Sequence, residues 1–232
     1  MYPKRVILMM LFMQVLMATS CQAGIPMQIS PTPTLASSLM DTSLFTNVPC
    51  GAPCWFGLEP GKSTEEEVIA ALQELSFIDP DTLDETSVGY WDPVKKEDIR
   101  AKLISANCVQ PENRQCVGLT VANNSLRIIG LFPNYAITFE DLLNRLGTPD
   151  NVIANLIPPV HQPGCSVGLM WTEQQIVADH TEKSTELCDD IYSGKRVNPS
   201  LLVHSITYFL PEYMEFMIKS DNIYPWVGFV DQ

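Results

Sequence analysis

The cysteines are the residues of this 232-residue chain with the clearest chemical potential, and there are seven. Cys21 stands apart near the start. The other six fall in three close pairs: Cys50 with Cys54, Cys108 with Cys116, and Cys165 with Cys188. Thiols at such spacings either hold zinc or close disulfides. Cys50-x-x-x-Cys54 is an acceptable zinc spacing, but no second close Cys or His pair accompanies it, and His161, His180 and His204 are scattered. The Cys-x-x-Cys spacing of thioredoxin-like redox chemistry does not occur. Six cysteines allow 15 connectivities. The simplest joins sequence neighbours, which predicts Cys50–Cys54, Cys108–Cys116 and Cys165–Cys188. Each bridge closes a small loop and contributes about 2–3 kcal/mol.

Gly57-Leu-Glu-Pro-Gly61-Lys62-Ser63 has three residues between its glycines, whereas a phosphate loop needs four. A capped helix start explains it better. There is no Gly-x-Ser-x-Gly elbow. Asp79, Asp81 and Asp84 miss the calcium-loop spacing and lack its glycine, so they read as a solvated turn. Glycoside hydrolysis needs two facing carboxylates, and nothing singles out a pair among 27 acidic residues. Trp55, Trp91, Trp171 and Trp226 are more simply core residues than an aromatic binding face. Tyr224 and Trp226, near the C-terminus, are the candidate exposed interaction residues. No catalytic residue, metal ligand or cofactor is assigned, and the expectation leans away from an enzyme.

The first twenty residues have a basic start (Lys4, Arg5), an apolar stretch over residues 6–17 and a small-residue end, Ala18-Thr-Ser20. These are the three parts of a secretory signal, and the apolar run is too short to span a membrane. Residues 1–20 are therefore expected to be a signal peptide. The segment around Ser20 and Cys21 resembles the lipobox of bacterial lipoproteins, with Ala18 where that family usually has leucine. The resemblance implies that Cys21 carries the lipid and anchors the protein to a membrane. Setting Cys21 aside leaves an even number of thiols, as disulfides in an oxidising space require. Without Lys4 and Arg5 the 14 basic residues become 12, against 27 acidic, a net charge of −15. Such a chain has no electrostatic footprint for nucleic acid. It is also repelled by anionic lipid heads, so an acyl chain rather than a basic patch must hold it to a membrane.

The elements that carry these residues follow from pattern. Residues 21–47, rich in Pro, Ser and Thr, read as a lipid-anchored disordered tether. The folded body is expected from residue 48. Ser63 with Glu66, or Thr64 with Glu67, makes a capping box ahead of Val68, Ile69 and Leu72. Thr138 with Asp141 repeats it ahead of Leu142, Leu143 and Leu146, closed by Gly147 and Pro149. The two layouts lie about 74 residues apart, which points to a tandem repeat, 48–133 and 134–232. Asn123-Asn124 reads as a hairpin turn between residues 116–121 and 126–132. Later strands are expected at 152–156, 167–171, 175–178, 201–209 and 214–218, and a short helix at 95–104. The fold class is α+β: two tandem repeats, each a short helical segment packed on an antiparallel sheet, stapled by disulfides.

The stretches Gly61-Lys-Ser-Thr-Glu-Glu-Glu-Val68 and Thr138-Phe-Glu-Asp-Leu-Leu-Asn-Arg-Leu-Gly-Thr-Pro149 resemble the helix-plus-sheet repeat of the β-lactamase inhibitory proteins. They also resemble the small lipoprotein of the outer-membrane β-barrel assembly machinery. Pro53-Cys-Trp-Phe-Gly-Leu-Glu-Pro-Gly61 resembles the opening of a class of Cys- and Trp-containing bacterial lipoproteins of unknown function. The resemblance covers roughly residues 53–218 and lacks Leu-Gly-x-Pro in the first copy. It implies non-enzymatic protein binding through a sheet face. The expectation is an extracytoplasmic, lipid-anchored protein of the cell membrane or outer envelope surface that binds or scaffolds another protein. The alternative is an extracellular hydrolase or carbohydrate-binding protein working through surface carboxylates.

Overall fold

Thr64 and Thr138 set the start of the two best-defined helices. Thr64 Oγ1 accepts from Glu67 N at 3.3 Å, and Thr64 N donates back to Glu67 at 2.8 Å. Thr138 and Asp141 make the same reciprocal pair at 3.2 and 2.9 Å. Each box satisfies backbone donors that a helix end leaves orphaned. The computed structural model describes residues 39–93, 95–111, 114–158, 163–194 and 196–229. The signal peptide, Cys21 and most of the tether lie outside the described residues.

The helices are α1 (Ser43–Thr46), α2 (Glu65–Glu74), α3 (Phe139–Leu146), α4 (Glu186–Tyr192) and α5 (Pro211–Met217). The strands are β1 (Asp84–Asp92), β2 (Glu97–Asn107), β3 (Gln115–Ala122), β4 (Ser125–Leu131), β5 (Asn151–Ile157), β6 (Gly164–Trp171), β7 (Ile176–Glu182), β8 (Ser205–Phe209) and β9 (Ile223–Pro225). They form one sheet in the order β1-β2-β3-β4-β8-β7-β6-β5-β9, with every neighbour antiparallel. The α+β class and the antiparallel pairing agree with expectation. A Thr-capped helix precedes β1–β4 and another precedes β5–β8, with α4 inserted between β7 and β8, and β4 pairs with β8 at the centre, Ile129 opposite Tyr208 and Leu131 opposite Ile206. The residue 133/134 boundary falls in the connection between β4 and α3.

Alternation along the strands divides the sheet into two unlike faces. Ile104, Leu119, Val121, Ile129, Leu169 and Tyr208 point to one face and are buried. There they meet Val68 and Leu72 of α2, Phe139 and Leu142 of α3, and Ile191 of α4 in the main core. Trp55 and Trp171 are fully buried in it. The other face carries Thr120, Ser166, Asp179, Ser205 and Thr207, all partly exposed. Among the described residues, α5 is the helix that lies across it. Met214 packs on Ile153, Met170 and Val177, and Tyr213 packs on Tyr90, Ala101 and Ala122.

Several expectations are corrected. The stretch 95–104 is a turn running into β2, not a helix. Arg100, Lys102 and Ile104 share one face and Ile99, Ala101 and Leu103 the other, a period of two rather than 3.6. Residues 214–218 belong to α5 and its end rather than to a strand, because Pro211 at the first turn starts a helix there. The strand expected at 201–209 begins at Ser205, since Leu201 and Val203 bond instead to Phe139 and Ile137. Residues 39–47, counted with the tether, are folded. Leu44 and Ser43 are buried and Asp41 accepts from the Trp55 indole.

The three disulfides close as expected: Cys50–Cys54, Cys108–Cys116 and Cys165–Cys188. They suggest an extracytoplasmic location. Among the described residues no helix is long and apolar enough to cross a membrane.

Candidate functional site

Gly168 sits mid-strand on β6, with Ile153 of β5 on one side and Asp179 of β7 on the other. A Cβ at Gly168 would lie 2.6 Å from Asp179 Oδ1 and 3.0 Å from a Val177 methyl. Only glycine leaves room for the carboxylate in this place. The space that a side chain would take is filled by the Asp179 carboxylate, beside a groove on the open face between β5 and β7. Those two strands stand about 9.5 Å apart, from the spacing of neighbouring strands.

Ile153 and Ile223 form one wall of this groove, and Val177 and Phe209 the other. Met217 closes the α5 end, and the amides of Asn155 and Asn222, hydrogen-bonded to each other, stand at the side. The groove measures about 280 Å³. That is below the 300–1,000 Å³ or so of a drug-sized ligand site, and closer to the size of one long side chain. Asp179 is the one carboxylate lining it, so the paired carboxylates of a glycosidase have no second member here.

The Asp179 carboxylate makes a single side-chain hydrogen bond, from Ser205 Oγ at a long 3.4 Å. Among the described residues it has no ion-pair partner. Burial pushes its pKa up to about 6, and the Ser205 hydroxyl pulls weakly the other way. A folded-state pKa above the unfolded one means that the native state resists losing this proton. The contribution of Asp179 to stability is therefore greatest below about pH 4, falls as pH rises from about 4 to about 6, and levels off above. With its pKa pushed up to about 6, ionised Asp179 costs about 2–3 kcal/mol at pH 7. Asp179→Asn is expected to recover much of that at pH 7 and almost nothing at pH 4. Urea denaturation at the two pH values reads the difference, and an equal gain at both would contradict it.

No protein-family model, characterised protein or solved structure matches this chain. Its reading rests on its own residues.

The other residues considered from sequence find structural roles. Gly61 N donates to Leu126 O at 2.7 Å and Leu126 N to Ser63 O at 2.8 Å, so the Gly-Lys-Ser loop is pinned to β4. Ser63 is buried and its hydroxyl accepts from Glu59 N, leaving Thr64 as the cap. Asp79 caps a short 3₁₀ turn, Pro80–Thr82, and Asp84 opens β1. Tyr224 and Trp226 do not protrude as anchors. Both are partly buried against the main core, Tyr224 beside Tyr192 and Trp226 edge-on to Phe229 at 5.0 Å. Of the tryptophans, Trp91 on the edge strand is the most exposed, at 42%.

The structure brings His180 and His204 together, their rings stacked at 4.8 Å. Sequence reading left them scattered because the contact depends on how β7 pairs with β8. Thr181 N donates to His204 Nδ1 at 3.0 Å, which places the proton of neutral His204 on Nε2. Burial first, then His180 and Arg114, hold its pKa below the usual imidazole value. His180 Nδ1 lies 2.8 Å from the Leu202 carbonyl. The pair ties β7 to the strand beside it. His161 lies outside the described residues.

Proposed function

We propose that this is an exported, lipid-anchored envelope protein that binds another protein on the open face of its sheet. The observation that carries this reading is the asymmetry of the sheet. α2, α3, α4 and the buried tryptophans cover one face, while among the described residues α5 is the helix that crosses the other. What α5 leaves partly exposed includes short polar positions and a glycine: Thr120, Gly130, Ser166, Ser205 and Thr207. A sheet face meant only for solvent gains nothing from glycine, which weakens a strand. Small residues there suit close approach by another chain.

The leader, the Cys21 signal and the acyl anchor supply the rest. Three disulfides fit the same compartment. The repeated order of a Thr-capped helix and four strands supports two tandem copies joined at β4 and β8, the arrangement implied by the resemblance to the inhibitory and assembly proteins.

A photo-crosslinking residue placed at Thr120 or Thr207 should give one discrete adduct in the native envelope. The same residue at Glu66 of α2 should not. Equal labelling from both faces, or none from either, would sink the docking reading. Mass spectrometry of the mature N-terminus tests the anchor, and an unacylated Cys21 would remove it.

A further inference from the structure

We propose that the Asp179 groove is a socket for one cationic side chain, a lysine or an arginine carried by the protein that docks on the open sheet face. This deepens the docking reading and rests on it for the partner, but not for the chemistry of the socket.

Three observations converge. The first is shape. The walls Ile153, Val177, Phe209 and Met217 are apolar, and Gly168 leaves the room in which the Asp179 carboxylate stands. Long basic side chains bury their methylene stems against such walls and keep the charged head for a polar end. A volume of about 280 Å³ admits one such side chain. The second is charge. Asp179 offers a carboxylate at the polar end with one long hydrogen bond and no cation. A carboxylate taken from water without a partner is costly, and an incoming guanidinium or ammonium relieves that cost. Its proton affinity is raised for the same reason, burial. The third is the flank. Asn155 and Asn222 present amide groups in the same groove lining. These are additional polar groups for a multi-donor head.

A divalent metal is the poorer occupant. Among the described residues no group of three His, Cys, Asp or Glu side chains converges, and hard cations need several oxygens. The acidic balance of the whole chain favours the same partner, because it attracts a basic surface before contact.

Butylguanidinium, which copies an arginine end, and butylurea, its neutral counterpart, are the probes. They are titrated into the purified, processed protein with ¹⁵N amide spectra as the readout. Butylguanidinium should shift Gly168, Asp179 and the Asn155 side-chain amide saturably, at millimolar concentration, while butylurea should leave them in place. Asp179→Asn should weaken binding about tenfold or more, as expected for loss of a charge-assisted hydrogen bond. Gly168→Ala, whose methyl would push the Asp179 carboxylate out of place, should weaken it too, and a dispersed spectrum shows that either variant is folded. Equal shifts with butylurea, or unchanged affinity in Asp179→Asn, would overturn the socket. Open-face crosslinks without probe binding would sink the socket alone. Probe binding without such crosslinks would sink the docking reading alone.

Discussion

Trp55→Ala is expected to cost about 4 kcal/mol of folding free energy, within the range of about 3–5 for a buried tryptophan cut to alanine. The side chain is fully buried. Its ring stands edge-on to Phe56 at 5.3 Å and to Phe77 at 6.4 Å. Its Nε1–H donates to Asp41 at 2.7 Å, and Asp41 in turn accepts from Ser43. One residue thus fills the core under α2 and fastens residues 41–46 to the body. Against a total stability of about 5–15 kcal/mol this is a large share. Trp55→Phe keeps most of the volume and loses only the indole donor, so it should cost about 1–2 kcal/mol. Urea unfolding of the two variants checks the order, and a loss under 1 kcal/mol for the alanine variant would show that the pocket refills or that the tryptophan is dispensable.

Replacing Cys165 and Cys188 together by alanine should cost about 3–4 kcal/mol, from the loop that the bridge closes in the unfolded chain. Both cysteines are fully buried, and Cys188 is the staple of α4 on β6. α4 has seven residues, far below the 12–15 or so at which a helix begins to hold by itself. Without the bridge, amide exchange in residues 186–192 should rise before that of the sheet. The Cys50–Cys54 bridge spans only four residues and should cost less, about 2 kcal/mol. Equal losses for the two pairs would contradict the loop-closure account.

What could be read in the sequence was local. The Thr64 and Thr138 caps each involve a partner three residues on, so side-chain chemistry alone reveals them. Asn123 and Asn124 both adopt positive φ, 53° and 55°, the conformation that asparagine tolerates in a two-residue hairpin. The disulfides join sequence neighbours.

What could not be read depends on strands from distant parts of the chain. β1 is hard to see in the sequence because, as an edge strand, its first half, Asp84 to Ser87, is polar and exposed and shows no alternation. α4 carries three acids in seven residues and too few apolar positions to show a period. The Asp179 groove joins residues of four strands, β5, β7, β8 and β9, with Met217 of α5, and no spacing in the sequence announces it. One signal was present. A glycine inside an apolar strand pattern marks a close approach, and Gly118, Gly130 and Gly168 each interrupt one.

Asn134 is buried where β4 leads into α3, and its side-chain amide donates to the carbonyls of Leu39 and Gln110, at 2.7 and 2.9 Å. Tyr135 holds Asp41 O and Arg145 holds Leu44 O beside it. The chain therefore enters the body on its helix-clad side and is clamped as it arrives. Three side chains, from Asn134, Tyr135 and Arg145, thus hold the backbone carbonyls of Leu39, Asp41 and Leu44. Loosening any one of them should raise amide exchange in residues 39–47 ahead of the sheet.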